Sequence, residues 1–234
     1  MEKLEVLRRI KTCGIVPAVR VSSETQALRA VEALGEGGIS VAEIAMSMPR
    51  SMLILERVIQ RYAGKMLIGA GTVLNPEEAR ACILSGAQYI VSPSLHVGTI
   101  EFCRQQGIAI FAGALTPTEI ETAWAAGADC VKVFPVSAVG GVRYIKSIRA
   151  PLPQVELLPM GGVGLESVED YLRAGCFALG VGNDLVSASA CEDENGAGIT
   201  RRAAAYRARI EAVRNSQQKA EADSGGRRAG AAAR

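Results

Sequence analysis

Eight short apolar runs recur along the chain, each followed by a longer segment whose apolar residues return every three or four positions. The runs are IVPAV (15–19), VAEIA (41–45), MLIGA (66–70), YIVSP (89–93), IAIFAG (108–113), CVKVF (130–134), VELLP (155–159) and FALGVG (177–182). Short runs that are apolar on both faces predict strands covered on two sides. ETQALRAVEAL, SMLILERVIQRYA, PEEARACILS, VGTIEFCRQQ, TEIETAWAA, VRYIKSI and ESVEDYLRA have the spacing of amphipathic helices. Several of these segments stop on glycine, in EGGI, LSGAQ, QQGIA, AAGAD and RAGCF, because glycine enters the left-handed conformation at low cost.

Strands alternating with helices predict a parallel sheet. An open doubly wound sheet accommodates this order, but eight regular units at intervals of about 20 to 25 residues fit a closed (β/α)8 TIM barrel better. Residues 1–12 read as an extra N-terminal helix, and residues 199–214 read as the closing helix after a polar loop, CEDENGAG (191–198). From Asn215 onward no large apolar residue occurs, and a segment with nothing to bury is expected to be a disordered tail. One barrel domain, 1–214, and a tail, 215–234, are the expected organisation.

Composition narrows the function. With 49% apolar residues the chain can build a large core, and a net charge of +2 gives no reason to expect nucleic acid or an anionic membrane as partner. No apolar run approaches the roughly 18 residues of a membrane span. The charged amphipathic start, MEKLEVLRRIKTCG, lacks the apolar centre of a signal peptide. Six scattered cysteines without a CxxC pair suit a reduced, cytoplasmic protein and give no zinc-site spacing. The single histidine, His96, is expected in a loop or first helical turn with a surface role. No metal and no cofactor are expected.

Chemistry in such barrels sits at the C-terminal ends of the strands. There the sequence places Arg20, Glu43, Thr72, the Ser92-Pro93 pair, Lys132, MGGV and GVGND. Strand alternation puts Lys132 on the face of Cys130 and Phe134, Glu43 on that of Val41 and Ala45, and Arg20 on that of Val16 and Ala18. Three ionisable groups therefore converge near one mouth, either as a buried ion-pair network or as a reactive site. A lysine in an apolar cavity loses its proton more readily, and its free amine adds to ketones to form an imine. A carboxyl group such as Glu43 would move the protons this needs, and a guanidinium such as Arg20 suits a substrate carboxylate. The glycine-rich turns MGGVGLES (160–167) and GVGND (180–184) occupy the two places where this fold usually cradles phosphate.

GAGTVLNPEEA, YIVSPSLH, VKVFPVSAVGGVRYIK, PMGGVGLESVEDYLRAGC and GVGNDLV, in that order, resemble the class I aldolases of 2-keto-3-deoxy-6-phosphogluconate and 2-keto-4-hydroxyglutarate. The resemblance covers residues 5 to 214, and AEIAMSMP and YIK are most similar to the 2-keto-3-deoxy-6-phosphogalactonate branch. It implies Lys132 as the imine-forming lysine and Glu43 as the general acid/base. It also implies Thr72 and Pro93 beside the pyruvyl carboxylate and Gly161, Gly162 and Asn183 at the phosphate, with Phe134 and Gly182 completing the substrate-binding set. Ser47 stands where an arginine is frequent, so Arg20 is expected to take over the carboxylate. Met160 and Asn183 replace a threonine and a serine at the phosphate end.

The expected function is metal-independent cleavage of a 2-keto-3-deoxy-6-phospho sugar acid to pyruvate and glyceraldehyde 3-phosphate. Cleavage of 2-keto-4-hydroxyglutarate to pyruvate and glyoxylate is a further expectation. The resemblance implies a homotrimer. Two other readings stand beside it: a phosphosugar isomerase or epimerase, which needs no imine lysine, and a non-catalytic binding or scaffold descendant.

Overall fold

A computed structural model describes residues 1–187, 189–191 and 196–231. Eight parallel strands form one sheet in the order β7-β6-β5-β4-β3-β2-β1-β8. They are β1 (Ile15–Val19), β2 (Val41–Ala45), β3 (Leu67–Gly71), β4 (Tyr89–Val91), β5 (Ala109–Ala114), β6 (Cys130–Val133), β7 (Leu157–Pro159) and β8 (Leu179–Val181). The seam between β7 and β8 closes through a bridge from Met160 to Gly180 and a bond from Phe177 N–H to Leu157 O at 2.9 Å. The (β/α)8 barrel expected from the alternating pattern is therefore present.

Helix α1 (Lys3–Cys13) precedes the barrel, and α2 (Glu24–Glu36), α3 (Ser51–Tyr62), α4 (Pro76–Leu84), α5 (Val97–Gln105), α6 (Pro117–Ala125), α7 (Val142–Arg149) and α8 (Val168–Arg173) surround it. Local chemistry sets their ends. Ser23, Asn75 and Thr116 accept backbone N–H bonds at the starts of α2, α4 and α6. His96 does the same for α5, its Nδ1 accepting from Thr99 N–H at 3.1 Å, which gives that exposed histidine a structural duty. Gly86 and Gly127, at φ +97° and +96°, make the left-handed exits after α4 and α6.

Alternation divides the apolar residues into two layers. Ile15, Val19, Ile44, Ile68, Ile90, Ile110 and Val131 pack outward against the helices. Val16, Val41, Leu67, Tyr89, Phe111, Cys130, Leu158 and Phe177 fill the barrel, with Val6 and Ile10 of α1 among them. Helix α1 thus plugs the interior.

The closing helix α9 runs as Ala197–Ala231, past residue 214. Helix-forming residues continue it, while its packing ends earlier: Val213 is buried and no side chain from Arg214 to Lys219 is. Residues 192–195 of the expected polar loop, and 232–234 of the tail, lie outside the described residues. Among the described residues, no helix is long and apolar enough to cross a membrane.

Candidate active site

Among the described residues, two acidic or basic side chains are buried in the barrel, Glu43 on β2 and Lys132 on β6, with exposures of 2% and 4%. Each lies one step above an apolar neighbour on the same inward face, Val41 and Cys130 respectively. Their environment is shaped by glycines. Gly71 leaves the space that the Glu43 carboxyl occupies, since a Cβ there would stand 1.7 Å from Glu43 Oε1. Below it Gly69 makes room for the Tyr89 ring, whose hydroxyl donates to Ala42 O at 2.8 Å.

Lys132 has a comparable setting. Its register partner on β5 is Gly113, over which the Pro93 peptide lies so closely that a Cβ would come within 2.2 Å of Pro93 C. Buried Ser92 fixes that turn, its hydroxyl accepting from Gly113 N–H at 3.1 Å and donating to Ser94 O at 2.9 Å. The Phe134 ring caps the amine, with Nζ 5.1 Å from the ring centroid.

Neither charge is neutralised by a tight pair. No ion pair of 4 Å or less joins Lys132 to Glu43, and Glu43 Oε2 is buried without a hydrogen-bond partner. A buried carboxylate oxygen left unmatched is unfavourable, and such a group is a recurrent mark of a ligand site. Burial pushes the Glu43 carboxyl above 4.5, against the opposing charges of Lys132 and Arg20. Burial likewise holds the Lys132 amine below 10.5, Glu43 opposing the shift and Arg20 adding to it.

Around this pair stand the other expected residues. Arg20 is exposed at the end of β1, and its Nη2 donates to Thr72 Oγ1 at 3.4 Å. Thr72 adopts φ +59°, an uncommon conformation for a β-branched residue and one associated with functional strain. Arg20 and Ser47 line the same cleft of about 370 Å³, together with Ser22, Gln26 and Met48. The guanidinium and the position lacking an arginine are thus neighbours.

The two loops after β6 and β7 are stitched together. Val136 N–H donates to Met160 O at 2.9 Å and Ser137 N–H to Gly161 O at 3.1 Å. Gly161 and Gly162 take φ +87° and +81°, and a Cβ on Gly162 would stand 2.5 Å from Ser137 Oγ. Gly182 and the exposed Asn183 follow β8 at the same end of the barrel. The Met160 side chain is buried in the inner layer against Gly180, where it fills the β7–β8 seam.

Tyr89, Gly71, Gly113 and Ser137 shape the site without having been singled out from the sequence. Only Tyr89 left a signal, a large polar-tipped ring inside a short apolar strand. Among the described residues, no group of three or more His, Cys, Asp or Glu side chains is arranged to hold a metal ion.

Comparison with known proteins bears on this arrangement. Residues 6–202 match the family model described as KDPG and KHG aldolase. The chain is 36% identical to 2-dehydro-3-deoxy-6-phosphogalactonate aldolase of Escherichia coli (strain K12) over 175 residues, 74% of this chain and 85% of the relative. It is 32% identical to 2-dehydro-3-deoxy-phosphogluconate aldolase of Haemophilus influenzae over 168 residues, covering 72% and 79%.

Among solved structures it is similar to KDPG aldolase from Legionella pneumophila, with pyruvate captured as a covalent carbinolamine intermediate. There the TM-score is 0.80, the identity 28% and the coverage 86% and 97% of the two chains. It is also similar to a chain of a protein cage designed by fusing symmetric oligomeric domains, at TM-score 0.84 and 30% identity, covering 94% and 80%.

Proposed function

Because the chain belongs to the KDPG and KHG aldolase family, we propose that it cleaves 2-keto-3-deoxy-6-phospho sugar acids through an imine on Lys132. One observation carries this reading: a buried amine, depressed in basicity and unpaired within 4 Å, shares the barrel mouth with a buried carboxyl group whose Oε2 lacks a partner. The covalent pyruvate adduct of the Legionella relative supports it.

Glu43, protonated at the start, gives its proton to the C2 carbonyl oxygen as the neutral Lys132 amine attacks, and then takes the surplus proton from the nitrogen, leaving the carbinolamine. Glu43 returns a proton to the carbinolamine hydroxyl, which leaves as water and gives the iminium ion. Glu43, again a carboxylate, takes the proton of the C4 hydroxyl. The C3–C4 bond then breaks, its electrons moving into the iminium nitrogen. Glyceraldehyde 3-phosphate departs, and the remaining enamine is protonated at C3 and hydrolysed to pyruvate and free lysine. Burial favours the uncharged amine that begins the sequence and the protonated acid that expels water.

Arg20, Thr72 and the Pro93 turn would hold the substrate carboxylate, Arg20 serving in place of the arginine absent at Ser47. Phe134 would cover the reacting carbon. Backbone N–H groups of Gly161, Gly162 and Gly182, with Asn183, would take the phosphate. The same chemistry would cleave 2-keto-4-hydroxyglutarate to pyruvate and glyoxylate. We place the enzyme in the cytoplasm, as a homotrimer. Its six free cysteines suit a reducing compartment, and a designed cage of oligomeric domains contains a similar chain. We take residues 1–214 as the working domain.

Pyruvate release from the gluconate-type and galactonate-type phosphorylated acids, and from 2-keto-4-hydroxyglutarate, tests the reading and ranks the substrates. Turnover on at least one is expected. Absence of pyruvate from all three would leave an isomerase or a non-catalytic binding protein. Light scattering should give three times the chain mass, and removal of 215–234 should leave turnover unchanged.

A further inference from the structure

The closing helix touches the loop after β8 through one acidic residue. Asp184 follows Asn183, and its carboxylate accepts from Arg202 Nη2 at 2.7 and 2.8 Å, from Arg202 Nε at 3.2 Å and from the Tyr206 hydroxyl in a short bond. Tyr206 is fully buried, so the acid gives its hydroxyl a partner away from water. The Arg202 guanidinium stands 5.7 Å from the Tyr206 ring centroid, which restricts it further.

The rest of the turn is fixed from the other side. Leu185 and Val186 are buried and donate their N–H groups to Gly182 O at 3.0 and 2.9 Å. Asn183, between two anchored stretches, is exposed. Asp184 also borders the preceding glycine loop, since a Cβ on Gly164 would stand 3.6 Å from its Oδ1. Glu166 flanks Gly164 as well and, like Asp184, is exposed, so water screens part of both charges.

A carboxylate set between two loops that offer N–H groups to an anion would repel that anion. Here a bidentate arginine cancels its charge, and a buried phenol fixes its direction. We propose that Asp184, Arg202 and Tyr206 form a clamp that positions the Gly182–Asn183 turn and neutralises it for the phosphate end of the substrate. The proposal rests on the aldolase reading above. The three are positioning residues, acting through the turn without touching substrate.

The experiment compares two probes. A 2-keto-3-deoxy-6-phospho sugar acid reaches the turn, whereas pyruvate, trapped on Lys132 with borohydride, has nothing to place there. Arg202→Met should raise KM for the phosphorylated acid about tenfold with kcat within about threefold. Half-saturation for pyruvate trapping should move less than about twofold.

The double variant Asp184→Asn/Arg202→Met, with both charges gone, should return KM to within about threefold of the native value. Tyr206→Phe keeps both charges and should raise KM about threefold; it carries the test if Arg202→Met does not fold. Arg173→Met, in an exposed pair with Glu169, is the control and should change neither probe.

Equal losses on both probes, an unchanged KM, or a double variant no better than Arg202→Met would overturn the clamp. No trapped adduct in the native protein would instead overturn the aldolase reading.

Discussion

Two steps along the same pair of strands separate an inert interior from the one proposed to react. On β5 and β6, Phe111 is in register with Cys130, and two residues further on Gly113 is in register with Lys132. The lower pair belongs to a packed layer in which Phe111 lies 5.7 Å from the Tyr89 ring and 5.9 Å from that of Phe177. The upper pair replaces the ring with a glycine and the thiol with an amine. Burial acts alike on both ionisable groups, raising the Cys130 thiol and lowering the Lys132 amine. In each case the neutral form gains. A neutral thiol is a poor nucleophile, whereas a neutral amine is the reactive form. The same desolvation that silences the thiol would arm the amine in the proposed reaction.

The strongest break of this comparison is Lys132→Ala. With the amine gone, turnover and pyruvate adduct should both vanish, while far-UV circular dichroism keeps the barrel signature. Glu43→Gln should leave the adduct chemistry possible but slow turnover by about 10²–10⁴-fold, the usual scale for a lost proton carrier. A rate near native would remove Glu43 from that role. Gly71→Ala tests the space above the lower layer. Its Cβ would collide with Glu43 Oε1, and displacement of the carboxyl should reduce kcat by about 10²-fold.

Phe111→Ala reverses the pattern, because it empties the lower layer and leaves the upper one in place. Unfolding free energy should fall by about 3–5 kcal/mol, measured by urea, with kcat per folded molecule changing little. A kcat loss as large as that of Gly71→Ala would show that the two layers are not separable.

The smallest effect is on pH dependence. Between the lowered Lys132 value and 10.5 the unfolded chain holds a proton the folded chain lacks, so stability rises with pH there. Between 4.5 and the raised Glu43 value the folded chain holds the extra proton, and stability falls as pH rises. Urea midpoints against pH should lose the alkaline rise in Lys132→Met and the acid-side fall in Glu43→Gln.

Much of this was readable from the chain. Strand and helix alternation survives in the sequence because both faces of each strand are covered, which makes eight apolar runs stand out. Glu43 and Lys132 stood out for the same reason: a charge inside such a run needs an explanation. The glycines at 71 and 113 carry no such mark, since their value is the room they leave for residues 28 and 20 positions away. The Asp184 contacts to Arg202 and Tyr206 likewise exist only when the last helix returns to the barrel. Met160 was read from its place before two glycines, while the contact of its side chain with Gly180 exists only in the folded barrel. The extent of α9 was missed because apolar pattern marks where a helix packs, not where it stops.

Borohydride reduction in the presence of pyruvate, followed by peptide mass spectrometry, tests the central claim most directly. One reduced pyruvyl adduct per chain, on the peptide carrying Lys132 and absent from Lys132→Ala, is the predicted result. An unmodified Lys132, or an adduct spread over surface lysines with Lys132 spared, would contradict it.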